Sequence, residues 1–584
     1  MPTDSRKLPN WDASITGMIA AQKADALAIA APAFRMSYGQ LNERAAGFAQ
    51  GLRLLGVATD RPVAVFANRT PAGIIGALAV LKAGAGYVPL DPAHPEARNE
   101  YILRDVGAPF VLAERSIAGL VPKGAWKVIP IDDAPLFFSK PMEPTAPPAP
   151  NHLAYVCYTS GPAGHPIGVE ISHGSLLNLV RWHQRVFKVE AADNAAQLAG
   201  PALDAAAWEI WPYLTAGASL HFPEEGSTRT AALMRAWLCD EYVTIALAPT
   251  PMAEQLISLD WPSSAALRVL LTTGEALKYH PPAGLPFVLV NNYGQAETTI
   301  VATSALLSPR SNPLELPPIG LAIDHTSVAI LDESLRPVPD GRSGELCIGG
   351  AGLARGYLNQ PQLTARKFVT APSGARLFRT GDLARRLPNG QIAFLGRRDG
   401  PIKVRGCRVE PAEIECLLNS HAAVRESAVA VRENGTGGRC LIAYAEPAEG
   451  GEVTAEDLER FLCLHLPEAM LPDSIEIMDE LPRTPDGKVD RGALPAAQTG
   501  SEMAVRPSVA VRLAGLMASV LAVDAVALDD NFFRRGGHPL LGAILIDRVH
   551  QTFGVTLSPQ QLFESPTAGG LAAEIERAAQ LARK

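Results

Sequence analysis

Five apolar residues, Leu153 to Cys157, lead into the stretch Tyr158–His173, YTSGPAGHPIGVEISH. The apolar run reads as a buried strand. The segment behind it crowds Gly161, Pro162, Gly164, Pro166 and Gly168 into one short loop. Such a loop bares backbone N–H groups, which can cradle the oxygens of a phosphate. Taken alone it also suits a glycine-rich surface turn. Its spacing is not the P-loop pattern, since no G-x-x-x-x-G-K-[ST] is present.

The chain ahead of this loop alternates helix and strand signals. Ala45–Leu55 reads as a helix that Gly56 can cap. Pro62–Phe66 reads as a short buried strand, Pro71–Lys82 as a helix, and Tyr87–Leu90 as strand again. Alternation of this kind predicts α/β layers. A proline-rich surface connection, Lys140–Pro150, precedes the loop. With 584 residues there is room for several domains, each with its own core. At 47% hydrophobic and 19% charged residues, the composition is that of a soluble globular protein. A net charge of −8 argues against a general nucleic-acid binder. Cysteines stand at 157, 239, 347, 407, 416, 440 and 463, an odd number without C-x-x-C, which indicates neither a disulfide framework nor a zinc site. No signal-peptide core follows Asp4, Arg6 and Lys7, and no apolar run is long enough to span a membrane. A cytoplasmic location without a membrane partner is expected.

The loop resembles the phosphate loop of adenylate-forming enzymes, usually T-S-G-S-T-G-x-P-K-G-V. Thr159, Ser160, Gly161, Gly164, Pro166, Gly168 and Val169 fit it, whereas Pro162, Ala163, His165 and Ile167 depart from it. Further stretches resemble landmarks of the same superfamily, in the expected order. They are Leu81–Pro95, LKAGAGYVPLDPAHP; Leu203–Gly217, LDAAAWEIWPYLTAG; Asn291–Thr299, NNYGQAETT; Gly344–Leu358, GELCIGGAGLARGYL; Phe378–Leu383, FRTGDL; Gly396–Glu415; and Leu481–Pro495, LPRTPDGKVDRGALP. The closest resemblance is to the amino-acid-activating adenylation domain of nonribosomal peptide synthetases.

That resemblance implies roles residue by residue. Thr159, Ser160, Gly161, Gly164 and Gly274 would meet ATP. Asn291 would offer an amide to the adenine edge, and Tyr293 a flat face to its ring. Glu297 would hold Mg²⁺ against the phosphates, with Ala296 replacing a usual threonine beside it. Asp382 would accept both ribose hydroxyls, unless it is a turn aspartate. Arg397 would reach the nucleotide. Asp399 would be the hinge of a small C-terminal subdomain, and Lys403 would face the site in the thioester-forming orientation. Pro401, where glutamine is usual, would stiffen the segment past the hinge. Lys488 would bridge carboxylate and phosphate oxygens from a mobile turn, the alternative being an exposed turn lysine. Asp204 would pair with a substrate ammonium group, the alternative being a helix N-cap. With Asp204, the pocket positions would be Ala205, Trp208, Ala246, Leu271, Thr273, Asn292, Ile300 and Val301.

The last part of the chain has three amphipathic stretches: Leu513–Leu521, Leu540–Val549 and Leu571–Leu581. Between the first two lies DNFFRRGGHPLL, Asp530–Leu541, which resembles the D-N-F-F-x-x-G-G-H-S-L-L signature of a peptidyl carrier domain. Pro539 stands where that family's serine carries phosphopantetheine. Proline suits the first turn of a helix, so the fold survives, but it has no nucleophile.

The resemblance thus implies an α/β adenylation domain: a large N-terminal subdomain (1–396) and a small mobile α+β C-terminal subdomain (397–497). A linker (498–507) and an all-α four-helix carrier-like domain (508–580) follow. The implied reaction is ATP- and Mg²⁺-dependent activation of a neutral apolar amino acid, branched-chain first and aromatic second. The implied partners are a carrier in cis or in trans, downstream synthetase modules and an MbtH-like helper. No condensation-type segment is read ahead of the adenylation part, and no thioesterase behind the carrier. The altered loop and Pro539 also suit a weakened pseudo-enzyme or scaffold. An acyl- or aryl-CoA ligase is a third reading, disfavoured by Asp204 and the carrier-like tail.

Overall fold

The computed structural model describes residues 14–32, 34–131, 148–161, 165–224, 226–309, 316–397, 402–404, 407–433, 439–448, 453–483, 489, 493–495, 509–521, 523, 526–553, 555 and 557–581. These form two compact units. One comprises residues 1–91, 102–159 and 167–400, the other residues 92–101, 160–166 and 401–584.

The first unit contains two large, mainly parallel sheets. One has seven strands. Leu153–Thr159, Gly86–Leu90, Pro62–Phe66, Phe110–Ala113 and Lys127–Pro130 run parallel, and Ile167–Ser172 and Gly356–Tyr357 extend them antiparallel past Leu153–Thr159. The other has nine strands. Its parallel part runs from Leu27–Ala31 through Ser219–His221, Asn194–Ala196, Ile245–Pro249 and Val269–Thr273 to Val288–Tyr293. Antiparallel strands close both edges: Phe34–Ser37 at one, Thr303–Leu306 and Leu321–Ala322 at the other. The inner strands read as near-continuous Val, Ile, Leu and Ala because a parallel sheet is covered on both faces. An antiparallel sheet of Thr326–Leu331, Gly344–Gly350, Arg376–Arg386, Phe368–Thr370 and Ile392–Arg397 completes the unit.

The helices have local reasons for their limits. Pro71–Ala83 starts with proline in its first turn, where a missing N–H costs nothing. It stops at Gly84, whose φ of +87° suits glycine. Lys82 is its only charged residue, and the helix is buried almost all round. The expected helix 45–55 begins earlier, at Tyr38, because Ser37 and Gln40 form a capping box that periodicity alone does not reveal. It ends at Leu54, and Gly56 (φ +88°) turns the chain out of it. One apolar cluster joins Tyr38, Phe48, Leu78, Tyr155, Trp208 and Trp211.

In the second unit, Val424–Glu433, Arg439–Pro447 and Ser474–Ile477 form a three-stranded sheet, flanked in sequence by helices Pro411–Ser420 and Ala455–Cys463. Helices Val509–Leu521, Pro539–Phe553, Pro559–Glu564 and Ala568–Leu581 pack around Leu513, Met517, Phe532, Leu545, Val549 and Leu571. The second of them begins at Pro539, the helix start that proline tolerates.

Candidate active site

Parallel strands deliver their C-terminal ends to one edge of a sheet; Thr273 and Asn292 lie at or near such ends, Leu271 is mid-strand and Ala246 is near the start of its strand. Ala246 pairs with Leu270, Leu271 with Val290, and Thr273 with Pro249 on adjacent strands. Asn292 lies near the end of the next strand. Its amide donates to Thr272 O (3.3 Å) and Val290 O (3.1 Å), and its carbonyl accepts from Ser304 Oγ (2.8 Å). Ile300 and Val301 follow in the turn behind that strand, where Thr299 and Ile300 both have positive φ, 54° and 71°. Trp208, Leu271, Ile300 and Val301 belong to one apolar cluster, while Ala246 packs in another.

Asp204 is the first residue of helix Asp204–Leu214, and Leu203 is its cap. The Asp204 carboxylate accepts the Ala205 N–H at 2.8 Å, as the positive end of a helix favours. At 100° per residue, Ala205 and Trp208 lie to one side of Asp204, and Ala206, Ala207 and Ile210 to the other. The second side lines a cavity of about 50 Å³ with Tyr155, Cys157, Gln197 and Asp204. The other expected pocket positions do not line that cavity.

The residues expected to meet the nucleotide are drawn into a buried polar knot. Asp382, on strand Arg376–Arg386, pairs directly with Arg397 on strand Ile392–Arg397. Its carboxylate accepts hydrogen bonds from Tyr293 Oη and Gln295 Nε2 (3.0 Å) and forms an ion pair with Arg397, whose Nε lies 3.0 Å away. Burial and the Asp382 charge hold the Tyr293 hydroxyl protonated far above its ordinary range. Arg397 also donates to Thr380 O at 3.0 Å. Asp382 is thus no turn aspartate; it is a strand residue with three side-chain partners. The Asn291 amide, expected at an adenine edge, donates to Pro318 O at 2.9 Å. Glu297 is fully buried in a short 3₁₀ turn and accepts Tyr357 Oη at 2.7 Å.

At the glycine-rich loop, Thr159 ends its strand and Ser160 is buried, its hydroxyl donating to Met470 Sδ at 3.8 Å. The Gly161 N–H bonds to the Glu413 carboxylate, whose pKa burial nevertheless raises. Gly274 turns the chain after strand Val269–Thr273 with a φ of +111°. Pro162, Ala163, Gly164, Asp399, Pro401 and Lys488 lie outside the described residues, as do the side chains of Lys403 and Pro539.

Several contacts around these residues were not foreseen from the sequence. Gln295 and Tyr357 lie inside motifs whose other residues drew attention, so their positions were available but their partners were not. Glu209, next to Trp208, is buried and accepts the N–H groups of Leu198 (2.9 Å) and Ala199 (2.7 Å). Burial pushes its pKa up to about 8 against those bonds and the Arg69 charge. His183 gives no sequence signal beyond its place in an amphipathic helix.

The AMP-binding enzyme family matches residues 18–358, its C-terminal domain residues 413–488, and the phosphopantetheine attachment site residues 511–575. A linear gramicidin synthase polypeptide of Brevibacillus parabrevis is 44% identical over 553 residues, 92% of this chain and 11% of that protein. Bacitracin synthase 1 of Bacillus licheniformis is 38% identical over 544 residues, 92% of this chain and 10% of that one. The chain therefore spans a small part of the curated relatives it matches. A solved holo synthetase protein with adenylation and PCP domains, bound to a vinylsulfonamide inhibitor, shares the fold at a TM-score of 0.71. It is 24% identical and 97% of each chain is covered. On these matches the chain belongs to the AMP-binding enzyme family, in the adenylation-plus-carrier arrangement of nonribosomal peptide synthetases.

Proposed function

We propose that this protein activates a neutral, mainly apolar amino acid to aminoacyl-AMP for transfer to a carrier thiol. A branched-chain amino acid is the first choice and an aromatic one the second. The observation that carries the reading is the setting of Asp204. One carboxylate opens a helix and lines a cavity, and the expected wall positions Trp208, Leu271, Ile300 and Val301, which lie outside that cavity, are all apolar and buried. A substrate ammonium would find one anionic partner there. A charged substrate side chain would find none and would cost several kcal/mol to bury, on the order of a broken buried pair.

In this reading the substrate carboxylate attacks the α-phosphate of ATP, and pyrophosphate leaves. Lys488 neutralises the charge that builds on the pentavalent phosphorus. Asp382 exchanges its Tyr293 and Gln295 donors for ribose hydroxyls, and Arg397 stays beside it. Mg²⁺ enters as the companion of ATP. No group of three metal-ligating side chains occurs among the described residues. The single buried carboxylate of Glu297 suits an ion that keeps most of its ligands from phosphate and water. We take residues 1–396 and 397–497 as the two adenylation subdomains with Asp399 as hinge, and 508–580 as the carrier. Lys403 serves the thioester-forming orientation.

Phosphopantetheine does not fit this chain. Its attachment position is read as Pro539, at the start of its helix, and proline has no hydroxyl to offer. Transfer is therefore assigned to a carrier on another chain, with synthetase modules and an MbtH-like protein as the partner classes.

ATP–pyrophosphate exchange across the twenty amino acids tests the reading. Exchange is expected with leucine, isoleucine or valine. Exchange with none of them, from folded protein, would favour the scaffold, whose support is the substituted loop at Pro162, Ala163, His165 and Ile167.

A further inference from the structure

His183 lies on helix His173–Phe187 and is fully buried. Aromatic rings box it in: Phe187, Tyr213 and Trp182 have centroids 4.8, 5.1 and 6.3 Å away. Its Nδ1 accepts the indole N–H of Trp208 at 2.9 Å, with the two rings almost perpendicular at 87°. Indole is a donor only, so Nδ1 must present a lone pair and the ring proton must sit on Nε2. That nitrogen meets no hydrogen-bond acceptor among the described residues. Burial pushes the pKa down to about 3, so the imidazole is neutral at any working pH. Charging it would remove the lone pair and break the bond.

Trp208 is the largest of the expected pocket residues and is itself fully buried. An indole has two soft torsions, and apolar packing alone leaves its flipped orientation open. The bond to His183 closes that choice, because a flipped ring would leave a buried N–H unpaired at a cost of about 1–3 kcal/mol. The aromatic box in turn holds the imidazole, so the restraint passes from a rigid cage through one bond to one wall of the pocket. We propose that His183 is a positioning residue, which fixes the Trp208 indole and thereby sets which apolar side chain the amino-acid pocket admits. This rests on Trp208 being a pocket wall, as read under the proposed function.

The test uses the full chain with His183→Phe, His183→Asn and Trp208→Phe. Phenylalanine fills the space without an acceptor, whereas asparagine puts a carbonyl oxygen close to the place of Nδ1. Two readouts are taken: the leucine-to-phenylalanine ratio of kcat/KM in pyrophosphate exchange, and the Trp208 indole N–H resonance, assigned by its loss in Trp208→Phe. His183→Phe is expected to move the ratio roughly tenfold. It should also strip the indole N–H of its protection from solvent exchange. His183→Asn should keep both. An unmoved ratio in His183→Phe, where Trp208→Phe does move it, overturns the proposal. So does an indole N–H that stays protected in His183→Phe. Should that variant fail to fold, His183→Gln, whose amide falls nearer Nε2, replaces it with the same expected and contrary outcomes. A wild type that is inactive with every amino acid sinks the proposed function, and the indole resonance then decides the positioning bond by itself.

Discussion

Asp382 and Glu209 show how differently two buried carboxylates are treated. Asp382 accepts from Tyr293 and Gln295 and pairs with the Arg397 charge, and on the proposed reading it anchors the residues that would receive the nucleotide. Glu209 receives two backbone N–H groups, and burial outweighs them. Its folded pKa, raised to about 8, lies above its unfolded value, so its stabilising contribution is complete below the unfolded pKa and is lost as pH rises towards 8. Glu209→Gln keeps an oxygen for both N–H groups and removes the charge. The variant should gain on wild type by up to about 1.4 kcal/mol per pH unit between pH 5 and 8. Denaturant melts at several pH values check this, and a constant difference would contradict it. Lys488→Ala tests the opposite kind of residue, one that belongs to a single chemical step. It should depress adenylation by at least about a hundredfold, on the scale of a lost transition-state donor. Thioester transfer from preformed aminoacyl-AMP to a competent carrier should be largely spared. Equal losses in the two half-reactions would count against a swinging C-terminal subdomain.

Elements were legible in the sequence where local chemistry decided them. Pro62–Phe66 is the strand that its apolar run predicted, and Pro71–Ala83 extends the predicted helix by one residue. The start at Tyr38 was missed because a capping box is a local hydrogen-bond geometry, which hydrophobic periodicity does not register. The residue types that gather around Asp382 were legible through motif order. Their partners were not, since Tyr293 meets Asp382 across 89 residues and Glu297 meets Tyr357 across 60. The turn between strand Val288–Tyr293 and the Glu297 helix turn shows how tightly this element is built. A Cβ at Gly294 would lie 2.2 Å from Ile300 O. Gly294→Ala should therefore destabilise the first unit by several kcal/mol, on the order of 2–4. It should also lower pyrophosphate exchange by displacing Tyr293 and Glu297 together. A full-length chain with unchanged melting would show that this turn yields easily. In the carrier, wild type incubated with coenzyme A and a phosphopantetheinyl transferase should keep its mass, and Pro539→Ser should gain one arm. A gain by wild type would refute the reading of this position.

The whole molecule joins an adenylation fold, whose residues largely match the family's motifs, to a carrier-type helical fold in which we read Pro539 as the attachment position. The pairing predicts a division of labour that can be measured. Wild type with ATP and its amino acid should accumulate aminoacyl-AMP without acylating itself, and a carrier with a free phosphopantetheine thiol, added in trans, should take the aminoacyl group as a thioester and release AMP. Covalent amino acid retained on the wild-type chain after acid precipitation would overturn this. The helix that begins at Pro539 sets the terms of that arrangement at a level below the protein. Every proline codon becomes a serine codon by one base change in its first position. A helix start tolerates either residue, so no compensating substitution is needed in between. On the reading of Pro539 proposed above, a single base change separates a carrier that cannot be loaded from one that can, with no unfolded intermediate between them.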